Sequence, residues 1–224
     1  RQEQAYEAVL DAVKSGRISE ERLDQSVARI QKLKQQYEYK NPPSIDIIQS
    51  EAHVALAQQA ARAGIVLVQS DDNFPIDNEA ENIICIEFST QIISDAVEAG
   101  SHTGFTSYLS NRIPAIKTHI VNPSDISDEL FGQIVDAAKA ADTVILATRN
   151  AHMIPAQILL ALAVIKACDN TVVACLRNPY DAGVFSSAKT IICTNGDSTP
   201  SLKAAVDVIC GDFVPTGKLT VPLG

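Results

Sequence analysis

A strand–helix–strand pattern occupies residues 143–181, TVILATRNAHMIPAQILLALAVIKACDNTVVACLRNPYD. Its two end runs, TVILAT at 143–148 and TVVACL at 171–176, are apolar at nearly every position, which is typical of strands covered on both faces. The helical segment 155–167 between them begins with Pro155, a residue favoured at the first position of a helix. This order of elements indicates a βαβ unit of a parallel sheet.

The same alternation continues on both sides of this unit from residue 44 onwards. Further strands are predicted at residues 65–69, 82–88, 116–121 and 189–194, and further helices at 50–63, 103–111, 127–141 and 200–209. For the last helix, Thr199 is the predicted N-cap and Pro200 the first helical residue. The sequence therefore predicts an α/β fold with a mainly parallel, doubly wound sheet.

The first 40 residues carry only helical patterns. One amphipathic helix is predicted to end at Ser15-Gly16, and a second is predicted to begin after Ser19 as its N-cap. The polar tract 39–43, YKNPP, then indicates a linker. The predicted domains are therefore residues 1–43 and 44–224.

Composition and charge exclude several classes of protein. The chain has 224 residues, 46% of them hydrophobic, with only ten glycines and ten prolines, which indicates a globular protein rather than a disordered or collagen-like one. Its 18 basic and 27 acidic residues give a net charge of −9, which argues against nucleic acid and anionic membranes as partners. No run of 18 apolar residues occurs, so no membrane span is expected.

The cysteines indicate buried thiols rather than a disulfide framework. The chain has five of them and no C-x-x-C pair, and the odd number leaves at least one thiol free. They are Cys85, Cys168, Cys175, Cys193 and Cys210. Three stand inside predicted strands, where a thiol behaves as a small hydrophobe, and we expect all five to be inert core thiols. Free thiols favour a reducing compartment.

The common nucleotide, hydrolase and metal motifs are missing. No G-x-G-x-x-G or G-x-S-x-G occurs, and the loop-like segment 211–219, GDFVPTGKL, is one residue too long for a phosphate loop and has Leu219 in place of the hydroxyl. Ser198 stands at a helix start, where capping is the expected role. The histidines lack ligand spacing, so neither a metal nor another cofactor is expected. They are His53, His102, His119 and His152.

Polar side chains follow the two strands of the 143–181 unit, at the point where each strand ends. The candidates are Arg149, Asn150 and His152 after the first strand, and Arg177, Asn178 and Asp181 after the second. In an open α/β sheet, ligands bind at this carboxyl edge. We expect a polar rim that contacts sugar hydroxyls or an adjoining domain. The alternative is that Arg177 pairs with Asp181 while Asn178-Pro179 forms a turn.

Two further predicted strands also end in polar residues. They are followed by Ser89-Thr90 and by the segment 194–198, TNGDS. Both ends would meet the same edge of the sheet, and they extend the predicted rim beyond its two central strands.

Four segments, taken in order, resemble glycoside hydrolase family 3, and most closely its β-N-acetylglucosaminidase branch. They are AVLDAVKSGRISEERLDQSVARIQKLK (8–34), AQQAARAGIVLVQSDDNFPI (57–76), LRNPYD (176–181) and CTNGDSTPSLKAAVDVICGDFVPTGKLTVPL (193–223). The resemblance implies that residues 1–43 are the last helices of a (β/α)8 barrel and a connector. It also implies that residues 44–224 form the C-terminal domain, a three-layer α/β sandwich with a mostly parallel, six-stranded sheet.

The same resemblance implies that the catalytic groups lie elsewhere. In this family the aspartate nucleophile belongs to the barrel, and the N-acetylglucosaminidase branch is expected to keep its His/Asp acid–base pair on a barrel loop. The K-H-F/F-P-G-type barrel motifs and the nucleophile segment are absent here. Because retaining hydrolysis requires two groups that flank the sugar, we assign no catalytic residue and expect the chain alone to be inactive.

In the β-glucosidase branch, the acid/base glutamate comes from the C-terminal domain. Its conceivable counterparts are Glu79, Glu81, Glu87, Glu98 and Glu129. None of these glutamates stands in a motif that identifies it as the acid/base.

The expected function is that of an accessory domain in a retaining β-N-acetylhexosaminidase that hydrolyses terminal N-acetylglucosamine from cell-wall or chitin fragments. The chain begins at Arg1 without Met, so we expect it to be cut from a longer enzyme, with the barrel as partner and an amino sugar as substrate of the parent. The alternatives are an autonomous flavodoxin-like ligand-binding module and a purely structural domain of a β-glucosidase-type enzyme. The resemblance favours an exported or envelope-associated parent, whereas the thiols favour the cytoplasm.

Overall fold

The chain divides into two compact units in a computed structural model. The structure describes residues 1–37, 43–77, 80–89 and 104–223. The units are Arg1–Ile48 and Gln49–Gly224. Residues 39–42 of the predicted linker lie outside the described part of the chain.

The first unit consists of two helices and a short 3-10 turn. Helix α1 spans Gln2–Lys14 and helix α2 spans Glu20–Gln36. The hydroxyl of Ser19 accepts a hydrogen bond from the backbone N of Arg22 at 3.2 Å, as expected of an N-cap. Gly16 joins the two helices with a φ of 73°, a left-handed conformation that favours glycine. Helix α2 has no buried residue, so its apolar stripe is exposed.

The second unit has a six-stranded sheet between two layers of helices. Its strands are β1 Val66–Gln69, β2 Ile83–Phe88, β3 Lys117–Val121, β4 Thr143–Thr148, β5 Thr171–Cys175 and β6 Thr190–Cys193. Its helices are α3 Glu51–Gly64, α4 Gly104–Arg112, α5 Asp128–Ala140, α6 Pro155–Ala167, α7 Tyr180–Val184 and α8 Thr199–Ile209. The strand order is β1-β6-β5-β4-β2-β3, and only β1 runs antiparallel to its neighbour. The predicted α/β sandwich with a mostly parallel sheet is confirmed.

The core lies on both faces of this sheet, because β2, β4, β5 and β6 are buried at every position. Successive residues of a strand point to opposite faces. Ile84 and Ile86 accordingly pack with α5 and α6, whereas Cys85 packs with α4 and α8. This arrangement explains why the strand sequences are continuously apolar rather than alternating.

Two local predictions need correction. Helix α8 begins at Thr199 with Ser198 as its N-cap residue, one position earlier than predicted. Four cysteines are buried, but Cys210 at the end of α8 is only half-buried, so it is not a core thiol. All five thiols are free, and burial raises the pKa of Cys85. Among the described residues, no helix is both long and apolar enough to cross a membrane.

Candidate functional site

The candidate site is the carboxyl edge of β2, β4 and β5. These three strands are neighbours and parallel, so their ends meet at one edge of the sheet. Arg149, Asn150 and His152 follow β4 there, and Asn178 and Asp181 follow β5 with Arg177. The structure divides these side chains into two clusters, one closed and one partly open.

The closed cluster is an ion pair between Glu87 and Arg149, which we call the buried ion pair. Arg149 is 2% exposed and Glu87 is 0% exposed, and Nη2 of Arg149 lies 2.8 Å from Oε1 of Glu87. Nη1 of Arg149 donates to the backbone O of Phe88 at 2.6 Å. Oε2 of Glu87 accepts from the backbone N of Thr106 in the first turn of α4 at 2.8 Å. The pair therefore ties β2, the loop after β4 and α4 together.

Gln157 holds the backbone of Arg149 in a reciprocal pair of hydrogen bonds. Its Oε1 accepts from the N of Arg149 at 3.0 Å, and its Nε2 donates to the O of Arg149 at 3.2 Å. Gln157 lies in the first turn of α6 and is fully buried. The chain direction at the end of β4 is thus fixed by the helix that follows it.

The partly open cluster is centred on the carboxylate of Asp181, which is 1% exposed. Oδ2 accepts from Oγ1 of Thr148 at 2.9 Å. Oδ1 accepts from the backbone N of His152 at 3.1 Å and lies 2.8 Å from the Nδ1 of the same residue. We call Thr148, His152 and Asp181 the Asp181 cluster. It joins the end of β4 to α7.

Two asparagines shape the loops that carry this cluster. Asn150 has a φ of 52°, a left-handed conformation in which asparagine is enriched, and it leads into the 3-10 turn Ala151–Met153. The Nδ2 of Asn178 donates to Oδ1 of Asn150, and Oδ1 of Asn178 accepts from the backbone N of Tyr180 at 3.1 Å. The second contact is an Asx turn, so the predicted turn at Asn178-Pro179 is present.

The alternative pairing of Arg177 with Asp181 is not what the structure shows. Nη1 of Arg177 lies 3.9 Å from Oδ2 of Asp197, in the loop after β6. The same oxygen lies 3.8 Å from Nε of Arg149. Asp197 therefore stands between the partly exposed Arg177 and the buried ion pair.

Two aromatic rings form the exposed part of this edge. The side chain of His152 is 26% exposed, and Tyr180 is 49% exposed. Their ring centroids lie 5.5 Å apart with an interplanar angle of 56°. Arg177, with a side chain 31% exposed, is the charged group on the same loop. A surface of this kind can offer one imidazole nitrogen, one aromatic face and one guanidinium to a ligand.

Sequence reasoning did not place Glu87, Gln157 or Tyr180 in the rim, although Glu87 was among the glutamates considered as an acid/base. Asp197 lies in the segment 194–198, which was predicted to extend the rim. A signal for Glu87 existed, because a single charge inside the buried run IICIEF needs a buried partner. Glu87 pairs with Ala147 in the register of β2 and β4, two residues before Arg149. Gln157 and Tyr180 carry no comparable signal, because neither type of residue is unusual at the start of a helix.

Apart from Glu87, the other candidates are not members of these two clusters. Of the five glutamates considered, Glu81 and Glu129 are exposed and Glu87 is in the buried ion pair. The other predicted positions lie outside the described residues: Glu79, Thr90, Glu98 and His102. Within the part of the chain that the structure describes, no group of three or more histidine, cysteine or acidic side chains could hold a metal ion.

No family model and no curated protein matches the chain. Solved structures are similar. A glycoside hydrolase family 3 β-N-acetylglucosaminidase from Paenibacillus sp. superposes with a TM-score of 0.78 and 25% identity over 99% of this chain and 43% of its own. A fungal multi-domain GH3 β-N-acetylglucosaminidase superposes with a TM-score of 0.76 and 24% sequence identity. The match covers 99% of this chain and 26% of the fungal chain.

A β-glucosidase from Listeria innocua is more distant. Its TM-score is 0.66 and its identity 18%, over 92% of this chain and 33% of its own. The chain thus spans less than half the length of each of these three solved proteins. The structural neighbours are parts of larger family 3 glycoside hydrolases, and the α/β sandwich matches their C-terminal domain.

Proposed function

We propose that this chain is the C-terminal accessory domain of a retaining β-N-acetylhexosaminidase of glycoside hydrolase family 3. The substrate of the parent would be terminal β-linked N-acetylglucosamine in cell-wall or chitin fragments. The observation that carries this proposal is the likeness to the Paenibacillus β-N-acetylglucosaminidase over 99% of the chain, with a TM-score of 0.78 against 0.66 for the β-glucosidase. The ordered sequence segments favour the same branch.

The domain would brace the barrel and line part of its substrate cleft through the carboxyl edge. The six candidate residues divide by burial within this role. Arg149 and Asp181 are buried and would hold the loops in place, together with Asn150 and Asn178. Arg177 and His152 are partly exposed and would contact the substrate or the barrel.

Residues 1–43 would belong to the end of the barrel domain and its connector. What supports this assignment is the surface of α2, on which Leu23, Val27, Ile30 and Leu33 are 37–57% exposed along one stripe. An isolated helix gains little from such a stripe, because apolar area stabilises only when it is removed from water. The barrel is the partner that we expect to cover it.

The catalytic groups would lie outside this chain. Retaining glycosidases place two carboxyl groups about 5–5.5 Å apart, both reaching the sugar. Glu87 and Asp181 are buried, and each already accepts hydrogen bonds from neighbouring side chains or backbone. Neither carboxylate can flank a sugar without giving up those partners, and this supports an accessory role.

Enzyme assays on the full-length protein and on this chain test the proposal. The full-length protein should cleave an aryl N-acetyl-β-glucosaminide, and the 224-residue chain should not. Arg177→Ala in the full-length protein should lower kcat/KM by about tenfold, the cost of one charged hydrogen bond. Arg112→Ala is the matched control, because Arg112 ends α4 and pairs with Asp212 away from the carboxyl edge. Turnover by the chain alone would contradict the proposal.

A β-glucosidase-type parent is the second candidate, favoured by the Listeria innocua neighbour. The same assay separates the two candidates. An aryl β-glucoside cleaved faster than its N-acetylamino counterpart would select the second.

A further inference from the structure

We propose that His152 and Tyr180 form a contact site for a pyranose sugar, with Asp181 as the residue that positions the imidazole. This inference rests on the proposed function, because it takes a carbohydrate as the ligand that reaches the carboxyl edge. It goes further by naming the atoms that make the contact.

Asp181 fixes which nitrogen of His152 is available. The carboxylate of Asp181 accepts hydrogen bonds, and Nδ1 of His152 lies 2.8 Å from its Oδ1. A carboxylate can only accept, so Nδ1 is the donor in this contact, and in the neutral imidazole Nε2 then keeps its lone pair. The side chain of His152 is 26% exposed. Because Nδ1 faces a buried carboxylate, we infer that the exposed part is the opposite edge of the ring, which contains Nε2.

The imidazole ring of His152 is held in a fixed position. The backbone N of His152 donates to the same Oδ1 at 3.1 Å, so both the backbone and the side chain of His152 are held by one carboxylate. Thr148 holds the other oxygen from the last position of β4. A side chain held at two points loses little rotamer entropy when it binds, which favours even a weak contact.

Tyr180 provides the second half of the site. Its ring is about half exposed, although α7 packs against β5 and β6 through its other residues. With a centroid distance of 5.5 Å and an interplanar angle of 56°, the two rings contact each other at a tilt, so their exposed surfaces meet at a corner. The apolar face of a pyranose can lie on the tyrosine ring while a hydroxyl or acetamido N–H donates to Nε2 of His152.

The charges around this corner favour a neutral ligand. Arg177 is directed to Asp197, and Asp181 is held by His152 and Thr148. A sugar with several hydroxyl donors suits a surface that offers an acceptor nitrogen and an aromatic face. N-acetylglucosamine meets both requirements and is the probe we would use.

Titration of the chain with N-acetylglucosamine, followed by the ring signals of the histidines, tests the site. His152 should show a saturable shift with a dissociation constant in the millimolar range, while His53 on α3 and His119 on β3 serve as internal controls. Tyr180→Ala should abolish that shift, and Tyr108→Ala on α4 should leave it intact. Circular dichroism and thermal unfolding show that each variant is folded. No saturable shift, equal shifts in all three histidines, or an unchanged shift in Tyr180→Ala would overturn the proposal.

A second measurement tests the positioning role of Asp181. Long-range 15N couplings should show that the hydrogen is on Nδ1 of His152 in the chain. Asp181→Asn should shift the tautomer population and weaken the sugar shift, whereas Thr148→Val should leave the tautomer unchanged. A tautomer that Asp181→Asn does not alter would overturn the positioning role.

This result is independent of the enzyme assay. The sugar shift can fail while the full-length protein is active, which would refute only the site. The His152 ring signals can also be compared between this chain and the full-length protein without sugar. If they shift only in the full-length protein and do not respond to sugar, the surface is a contact between domains, and the sugar site is overturned.

Discussion

The two polar clusters at the carboxyl edge use similar side chains for different purposes. In the buried ion pair, Glu87 and Arg149 are both less than 3% exposed, and they contact each other and backbone groups. Arg149 also faces Asp197, with its Nε 3.8 Å from Oδ2 of that residue. In the Asp181 cluster, an equally buried carboxylate holds a histidine whose ring is 26% exposed. Both side chains of the first cluster are buried, whereas the second cluster ends in a ring that reaches solvent.

The difference separates a part of the sheet edge that is fixed in the interior from a part that reaches solvent. A buried charge is costly unless it is paired and hydrogen-bonded, so the closed cluster stabilises one arrangement of β2, β4 and α4. The Asp181 cluster then builds on a rigid support and places a ring at the surface. We expect variants of the first cluster to affect folding and variants of the second to affect both folding and contact.

The largest expected loss of stability is that of Arg149→Met. This change leaves the carboxylate of Glu87 buried without its guanidinium, and breaking such a pair typically costs about 3–5 kcal/mol. Urea denaturation of the chain measures the change in the free energy of unfolding. The double variant Glu87→Gln with Arg149→Met is the control, and it should recover part of the loss because neither charge of the pair stays buried. A loss below about 1 kcal/mol in the single variant would show that the pair is not closed to water.

The second largest expected loss of stability is that of Asp181→Ala. It leaves the buried Thr148 hydroxyl without its acceptor, and an unsatisfied buried group costs about 1–3 kcal/mol. The His152 backbone N–H loses the same acceptor, but it is only partly buried and water can replace the carboxylate there. Asp181→Asn keeps one acceptor oxygen and should cost less. Thermal unfolding of both variants gives the comparison. If Asp181→Ala cost as much as Arg149→Met, the two clusters would not differ in the way that their burial indicates.

Much of the fold could be predicted from the sequence because the strands are buried on both faces. The predicted bounds of β4 and α6 are those of the structure, and every other predicted strand agrees within one residue at each end. Helix α7 was missed, because five residues are too few to show a helical period. The start of α8 was misplaced by one residue, since Ser198, Thr199 and Pro200 are all common at a helix start.

The candidate site was predictable in position but not in detail. The rule that ligands bind at the carboxyl edge selected the loops that carry Arg149, His152 and Asp181. It did not show which of these side chains are buried, because burial depends on partners that come from β2, α4 and α6. Glu87 is 62 residues from Arg149 in sequence, and no local pattern joins the two.

The smallest expected loss of stability comes from breaking an exposed ion pair, which also joins an arginine to a carboxylate. Arg112 donates from both Nη atoms to the two carboxylate oxygens of Asp212, each at 2.8 Å, but these side chains are 41% and 35% exposed. Solvent screens such a pair, so Arg112→Met should cost less than about 1 kcal/mol at neutral pH. Urea denaturation at several pH values measures this loss.

The stability that the Arg112–Asp212 pair contributes should change with pH in a direction that can be measured. The hydrogen bond from Arg112 lowers the pKa of Asp212 below its usual range, so the unfolded chain binds a proton more readily than the folded one. The contribution of the pair is therefore present above pH of about 4 and disappears as the pH falls through the lowered pKa. Arg112→Met should remove this part of the acid dependence, and Lys139→Met, at an exposed pair within α5, is the matched control. If Arg112→Met lowered the free energy of unfolding as much as Arg149→Met does, the geometry of an ion pair and not its burial would set its contribution to stability. The physical basis for separating the two clusters would then be lost.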